Sequence, residues 1–269
     1  MRYLLTILFV FLFAVANAAT IEVGRDKVVT SLRKAVEMAQ DGDTILLHQG
    51  TYKEGNIIIE KSIRLIGVGN PVLDGEKQGE LLTISGTEIL VKGITLANSG
   101  YSSMNDYAAL KIIDAEYVIV ENNNINNAFF AIHVANASKV IIRNNIIKTV
   151  SESEQYSGNG IHLWKCHDML ISDNHIEGHR DGIYFEFVTN SYIENNHSEK
   201  NIRYGLHFMF SHENSYLHNT FVNNGAGVAV MYSKNVLMHS NTFDRNWGSA
   251  AYGLLLKDIS NSQIIGNRF

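Results

Sequence analysis

An asparagine returns to the same place in a repeating pattern, and this period restricts the fold more than any other feature of the chain. From Val118 onward, short β-branched runs end in an asparagine corner: VIVENNNI (118–125), VIIRNNII (140–147), MLISDNHI (169–176), SYIENNHS (191–198), SYLHNTF (215–221) and VLMHSNTF (236–243). Taking Asn123, Asn145, Asn174, Asn196, Asn219 and Asn241 as the corner gives spacings of 22, 29, 22, 23 and 22 residues. A small residue then opens a second strand in each unit, as in AIHV (131–134), GIHL (160–163), GIYF (182–185), GLHF (205–208), GVAV (227–230) and GLLL (253–256). One such unit cannot bury its apolar face, whereas a stack of units encloses a continuous core. No helix-length apolar period accompanies the repeat, which argues against leucine-rich and helical solenoids. The predicted fold is therefore all-β: a right-handed, single-stranded parallel β-helix.

Departures from the period mark loops and ends. The spacing of 29 residues places an insertion at Ser151 to Asn159, and Ser99 to Tyr107 is irregular one coil earlier; both are expected to bulge without breaking the stack. An uncapped solenoid end would expose a sheet edge. Ser31 to Ala39 (SLRKAVEMA) has Leu32, Ala35, Val36 and Ala39 at helical spacing with Ser31 as N-cap, which predicts a short N-terminal capping helix. At the other end, Asn267-Arg268-Phe269 reads as the start of another coil, so further coils and a C-terminal cap are expected beyond it.

Met1-Arg2 followed by the apolar run Tyr3 to Val15 and by Ala16-Asn17-Ala18 has the pattern of a signal peptide, too short to favour a membrane span. The predicted organisation is a cleaved leader over 1–18 and an exported β-helix domain over 19–269. Cleavage removes Arg2 and no acid, so 22 basic and 27 acidic residues become 21 and 27. This mildly acidic balance argues against a nucleic-acid partner. Cys166 is the single cysteine and leaves no intrachain disulfide to staple the fold, so stability must come from packing.

Strand alternation assigns faces. Ile161, Leu163, Ile183, Phe185, Leu206, Phe208, Val228 and Val230 point inward, leaving two outward columns. The first reads His133, His162, Tyr184, His207, Ala229, Leu255; the second reads Ala135, Trp164, Glu186, Met209, Met231, Lys257. Stacked coils set Met209 and Met231 about 4.8 Å apart, and His207 lies about 7 Å along the strand on the same face. His212 follows in the turn. Thioether sulfur with imidazole selects a soft ion, Cu(I) before Zn, Ca or Mg. Core packing under a loop is the competing reading for the two methionines. Met169 and Met238 read as core, His175, His197, His218 and His239 as solvated surface, and Cys166 beside His167 as a small buried hydrophobe before a copper donor.

Two other functions fit such a solenoid. Tyr184, Glu186, His207 and Asp181, with Arg180 and Arg203 nearby, make a conceivable acid-base set for a uronate-polysaccharide lyase or epimerase. A carbohydrate-binding or adhesive solenoid would need an aromatic stripe, and Trp164, Tyr184 and Tyr232 are too scattered to form one.

The stretches HRDGIYFEFVTNS (179–191), RYGLHFMFSHEN (203–214), GAGVAVMYSKNV (225–236) and NWGSAAYGLLLKDI (246–259) resemble NosD, the family of periplasmic copper-binding β-helix proteins. HFMFSH and VMYS carry the specificity, because the asparagine corner and the Gly-Ile-x-Leu strand are shared with many carbohydrate-related β-helices. The resemblance implies a non-enzymatic role in denitrification: helping copper reach the copper-sulfide centre of nitrous oxide reductase. It also implies work with an ABC transporter of the NosF and NosY type and with the copper lipoprotein NosL. His207, Met209 and Met231 then rank first as metal ligands, with Glu186 and His212 second. Family members are commonly longer, with a C-terminal part that meets the transporter.

Overall fold

The computed structural model describes residues 18–102, 104–151, 153–248 and 252–269; the predicted leader, apart from Ala18, lies outside the described residues. The repeat folds into a right-handed parallel β-helix. Its three sheets hold eleven, nine and nine strands, and every strand pairing is parallel to the equivalent strand of the next coil. The eleven-stranded sheet runs from Thr20–Val23 to Gln263–Ile265. The short-strand sheet runs from Thr51–Tyr52 to Thr242–Asp244, and the long-strand sheet from Ile57–Ile59 to Leu254–Lys257.

Each coil thus has three strands where the repeat suggested two. The asparagine corner divides the first run: Glu116–Glu121 precedes it and Asn124–Asn126 follows, in different sheets. Three residues are too few for a period-2 pattern to declare itself, so the short strand reads as part of the corner.

The corner asparagines form the anticipated ladder. Nδ2 of Asn123, Asn145, Asn174, Asn196, Asn219 and Asn241 donates to Oδ1 of the asparagine one coil on, at 2.9 to 3.1 Å. The same amides donate to carbonyls one coil back, for example Asn174 to Ile142 at 2.9 Å. All six are essentially buried, so the ladder satisfies polar groups at a bend where strand pairing lapses. The residue before each is left-handed, including Asn122, Asn144, Asp173 and Asn195 with φ of 54° to 55°. Asn and Asp tolerate that region, which explains the paired polar residues at the corner. A second ladder, Asn201 to Asn224 to Asn246, closes the next corner at 2.8 and 3.0 Å.

Inward positions behave as the alternation requires: Ile161, Leu163, Ile183, Phe185, Leu206, Phe208, Val228 and Val230 are fully buried. The capping helix is Leu32–Met38, with Leu32, Ala35 and Val36 buried and the Ser31 side chain accepting from the Lys34 amide. The Glu54 carboxylate also accepts from the Leu32 and Arg33 amides at 2.9 Å, so a later coil fastens the cap. The described residues of both irregular segments lie outside the strands, the second segment containing a 3-10 turn, Glu154–Tyr156. They meet through Tyr101 and Tyr156, whose ring centroids are 5.5 Å apart. Among the described residues, no helix is long and apolar enough to cross a membrane.

Candidate functional site

Parallel pairing without slippage turns the outward alternation into two unbroken columns on the long-strand sheet. His133, His162, Tyr184, His207, Ala229 and Leu255 are register partners in succession, as are Ala135, Trp164, Glu186, Met209, Met231 and Lys257. Met209 therefore sits directly beside Met231, with Glu186 on its other side and His207 two residues away on the same face.

Outward does not mean exposed here. His133 and His207 are only 9% and 5% exposed, because side chains entering and leaving the coils close over the first column. Phe130 lies edge-on to His133 and His162 at 5.7 and 5.3 Å, and Tyr204 lies 4.8 Å from His207. Burial pushes the His162 pKa down to about 3, helped by His133 and Arg180, and lowers that of His133 as well. These two imidazoles are held neutral.

His207 has a different setting. Its Nδ1 faces the Arg203 guanidinium at 3.3 Å and Asp181 Oδ2 at 3.6 Å, while Nε2 is buried without any hydrogen-bond partner. Asp181 is fully buried, accepting from the Tyr204 amide at 3.3 Å and pairing with Arg203 Nε at 3.3 Å. Arg203 is held in turn by Glu154 at 3.1 Å, 49 residues away on the inserted loop. Burial works against the Arg203 charge, but the Asp181 and Glu154 carboxylates outweigh it and raise its pKa.

In the second column the Tyr184 hydroxyl donates to Glu186 Oε2 at 3.3 Å and lies 3.6 Å from the Met209 sulfur. Burial, reinforced by Glu186, pushes the Tyr184 pKa up to about 12. Both methionines are half-buried. The residue after each of Glu186, Met209 and Met231 is aromatic and left-handed: Phe187, Phe210 and Tyr232, with φ of 56°, 49° and 52°. Bulky side chains rarely adopt that conformation, and here they stack on one another at 5.4 and 5.0 Å with planes within 13°. An aromatic ladder thus borders the sulfur column. Its rings cover each other's faces, so it is not the flat platform on which a sugar would stack.

His207, Met209, Met231 and Glu186 are brought together with Tyr184; His212 lies in the turn beyond, its Nδ1 accepting from the Lys234 amide at 3.3 Å. Two soft sulfurs, one buried imidazole nitrogen without a partner and one carboxylate are a donor set suited to a soft cation.

Residues 143–269 match the family described as "Periplasmic copper-binding protein (NosD)". This segment is NosD-like. Every residue of the donor set falls inside the matching segment, whereas His133 and Ala135 precede it. Over 138 residues, 51% of its length, the chain is 32% identical to a protein from Pseudomonas aeruginosa named probable ABC transporter binding protein NosD, of which the match covers 32%. A protein of the same name from Stutzerimonas stutzeri is also 32% identical over 138 residues, with 31% of it covered. The match spans about a third of the length of these relatives. Both are named as binding proteins rather than enzymes.

Fold likeness extends further than sequence. PfbA, a surface adhesin of Streptococcus pneumoniae, superposes with a TM-score of 0.67 at 14% identity, over 86% of this chain and 74% of its own. An alginate lyase from a Paenibacillus species gives 0.64 at 16% identity, over 93% and 98%. At such identities the likeness concerns the β-helix alone.

Two expectations for the chain need correction or refinement. Asp181, read as an outward acid, is fully buried behind Arg203 and His207, because it sits where the coil turns into the strand Ile183–Glu186. Cys166 is 2% exposed, its thiol 3.3 Å from the Trp164 carbonyl, and burial pushes its pKa up to about 11. A thiol kept protonated is a core residue, as the alternation favoured.

Proposed function

We propose that this chain is a periplasmic copper-handling scaffold that holds Cu(I) between His207, Met209 and Met231. It passes the ion toward the copper-sulfide centre of nitrous oxide reductase, in concert with an ABC transporter of the NosF and NosY type and the lipoprotein NosL. The observation that carries the reading is the register that sets Met209 beside Met231 on the face of His207, whose buried Nε2, like Nδ1 of His133 and both ring nitrogens of His179, has no hydrogen-bond partner. A buried polar atom left without a partner is costly unless something else engages it, and a metal ion does so.

Copper is cargo in this reading. Thioethers are neutral, soft and weakly hydrated, so they favour the monovalent ion and release it more readily than thiolates would. Binding through Nε2 requires the tautomer with its proton on Nδ1, in which Nδ1 gives up the Arg203 guanidinium at 3.3 Å and turns to the Asp181 carboxylate, 3.6 Å away, which then makes the imidazole a better donor. Glu186 is a second-rank ligand that Tyr184 holds in place, whereas His212, the other second-rank candidate, has its Nδ1 lone pair engaged by the Lys234 amide.

The acid-base reading is weaker for physical reasons. Asp181 is out of reach of a polymer, and a Tyr184 hydroxyl pushed up to about 12 is a poor proton acceptor near neutrality. Anaerobic Cu(I) titration with a competing chelator tests the proposal. Met209→Leu and Met231→Leu should each weaken binding, and unchanged affinity in the double variant would remove the ligand assignment. New absorbance from unsaturated uronate on incubation with alginate or pectin would restore the lyase.

A further inference from the structure

A second donor cluster lies on the short-strand sheet, away from the sulfur column. His175 opens the strand His175–Glu177 and His197 opens the strand His197–Glu199 one coil on; the two are register partners with ring centroids 4.9 Å apart. Glu199, two residues after His197, shares that face. His175 Nε2 is 2.9 Å and His197 Nε2 3.6 Å from the same oxygen, Glu199 Oε1. One donor atom from each residue lies within 4.8 Å of the others.

Surrounding charges leave this oxygen available. Glu177, stacked beside Glu199, is matched by Lys148 at 3.0 Å and Lys200 at 2.7 Å. Lys200 touches Glu199 only through Oε2, at 3.5 Å. At 3.6 Å the His197 contact is too long for a hydrogen bond, so Oε1 binds one imidazole while the other waits beside it. A cation among the three donors would engage all of them. Ligands on a tetrahedral ion at about 2.1 Å lie roughly 3.4 Å from one another, so the observed 2.9 and 3.6 Å already bracket that spacing. Ile146 below and Thr220 above supply no ligand, which confines the site to two coils and leaves outer positions to water.

We propose that His175, His197 and Glu199 form a second metal site, for a borderline divalent cation such as Zn(II) or Cu(II). Two imidazoles and one carboxylate without any sulfur disfavour Cu(I), and too few oxygens are present for Ca²⁺ or Mg²⁺. The site is independent of the copper reading of the sulfur column, and the two differ in the charge and softness of the ion they take.

Its test uses Co(II) as the optical probe and Zn(II) or Cu(II) as competitor, on the Met209→Leu/Met231→Leu variant so that the sulfur column is silent. The expected result is one equivalent of Co(II) giving visible bands that either competitor abolishes. His175→Ala/His197→Ala and Glu199→Gln should weaken Co(II) at least tenfold. Both imidazoles are well exposed, with side chains at 38% and 41%, so these variants should keep the wild-type circular dichroism and Tm. Absence of Co(II) bands at millimolar metal, or bands unchanged in His175→Ala/His197→Ala, would overturn the site.

Discussion

The asparagine corner and the outward columns are both vertical lines through the same stack, yet they differ in one respect. The corner keeps one residue type in every coil from Asn123 to Asn241, while the outward columns change from His to Tyr to Ala, and from Trp to Glu to Met. Sameness serves the ladder, because an amide can donate to and accept from a copy of itself 4.8 Å away, as happens in stacked Asn arrays. Change serves chemistry, because a site needs unlike donors at one level and not at the next. In a solenoid, the residues that repeat hold the structure and those that interrupt the repeat are the places to look for function.

The sharpest way to break this division is to attack a rung. Asn196→Leu removes Oδ1 from the Asn174 amide groups, and Nδ2 from the Ile171 carbonyl and from Asn219. Several buried polar groups lose partners together, so chemical denaturation should show a loss of at least about 3 kcal/mol. Met209→Leu/Met231→Leu should do the opposite. Leucine fills similar volume, so stability changes by less than about 1.5 kcal/mol, while Cu(I) affinity falls roughly 100-fold, equivalent to about 2.8 kcal/mol. Comparable stability losses in the two variants would erase the distinction.

A pH-dependent effect separates His162 and His179 from the rest of the fold. Burial lowers both pKa values to about 3, while the unfolded chain titrates near the ordinary value of 6.5. Below 6.5 the unfolded state binds protons that the native state refuses, so stability is complete above that pH and declines as pH falls toward 3. The slope is about 1.4 kcal/mol per pH unit for each imidazole that stays neutral. Thermal melts between pH 7 and pH 4 should show this decline, and His162→Phe should reduce its slope by about half, leaving the His179 contribution.

Much of this was legible because the period is a ruler. Counting from Asn196 to Asn219 and on to Asn241 fixes the register that sets Met209 beside Met231, and alternation then names the buried faces. The capping helix was legible for a local reason, since Ser31 and the Leu32, Ala35, Val36 spacing lie within one turn or two. What stayed hidden depends on distant segments. That His207 is covered and braced requires Glu154, brought in from an insertion 49 residues before Arg203. The same closure buries Asp181, which looks like a surface acid in HRDGIYF. His175 and His197 looked like ordinary surface histidines because Glu199, on their face by simple alternation, was not counted with them.

X-ray absorption at the copper edge of the Cu(I)-loaded chain tests the central claim most directly. The account predicts a first shell of mixed sulfur and nitrogen, with the sulfur contribution disappearing in Met209→Leu/Met231→Leu. A wild-type shell of nitrogen and oxygen alone, unchanged in that variant, would contradict it.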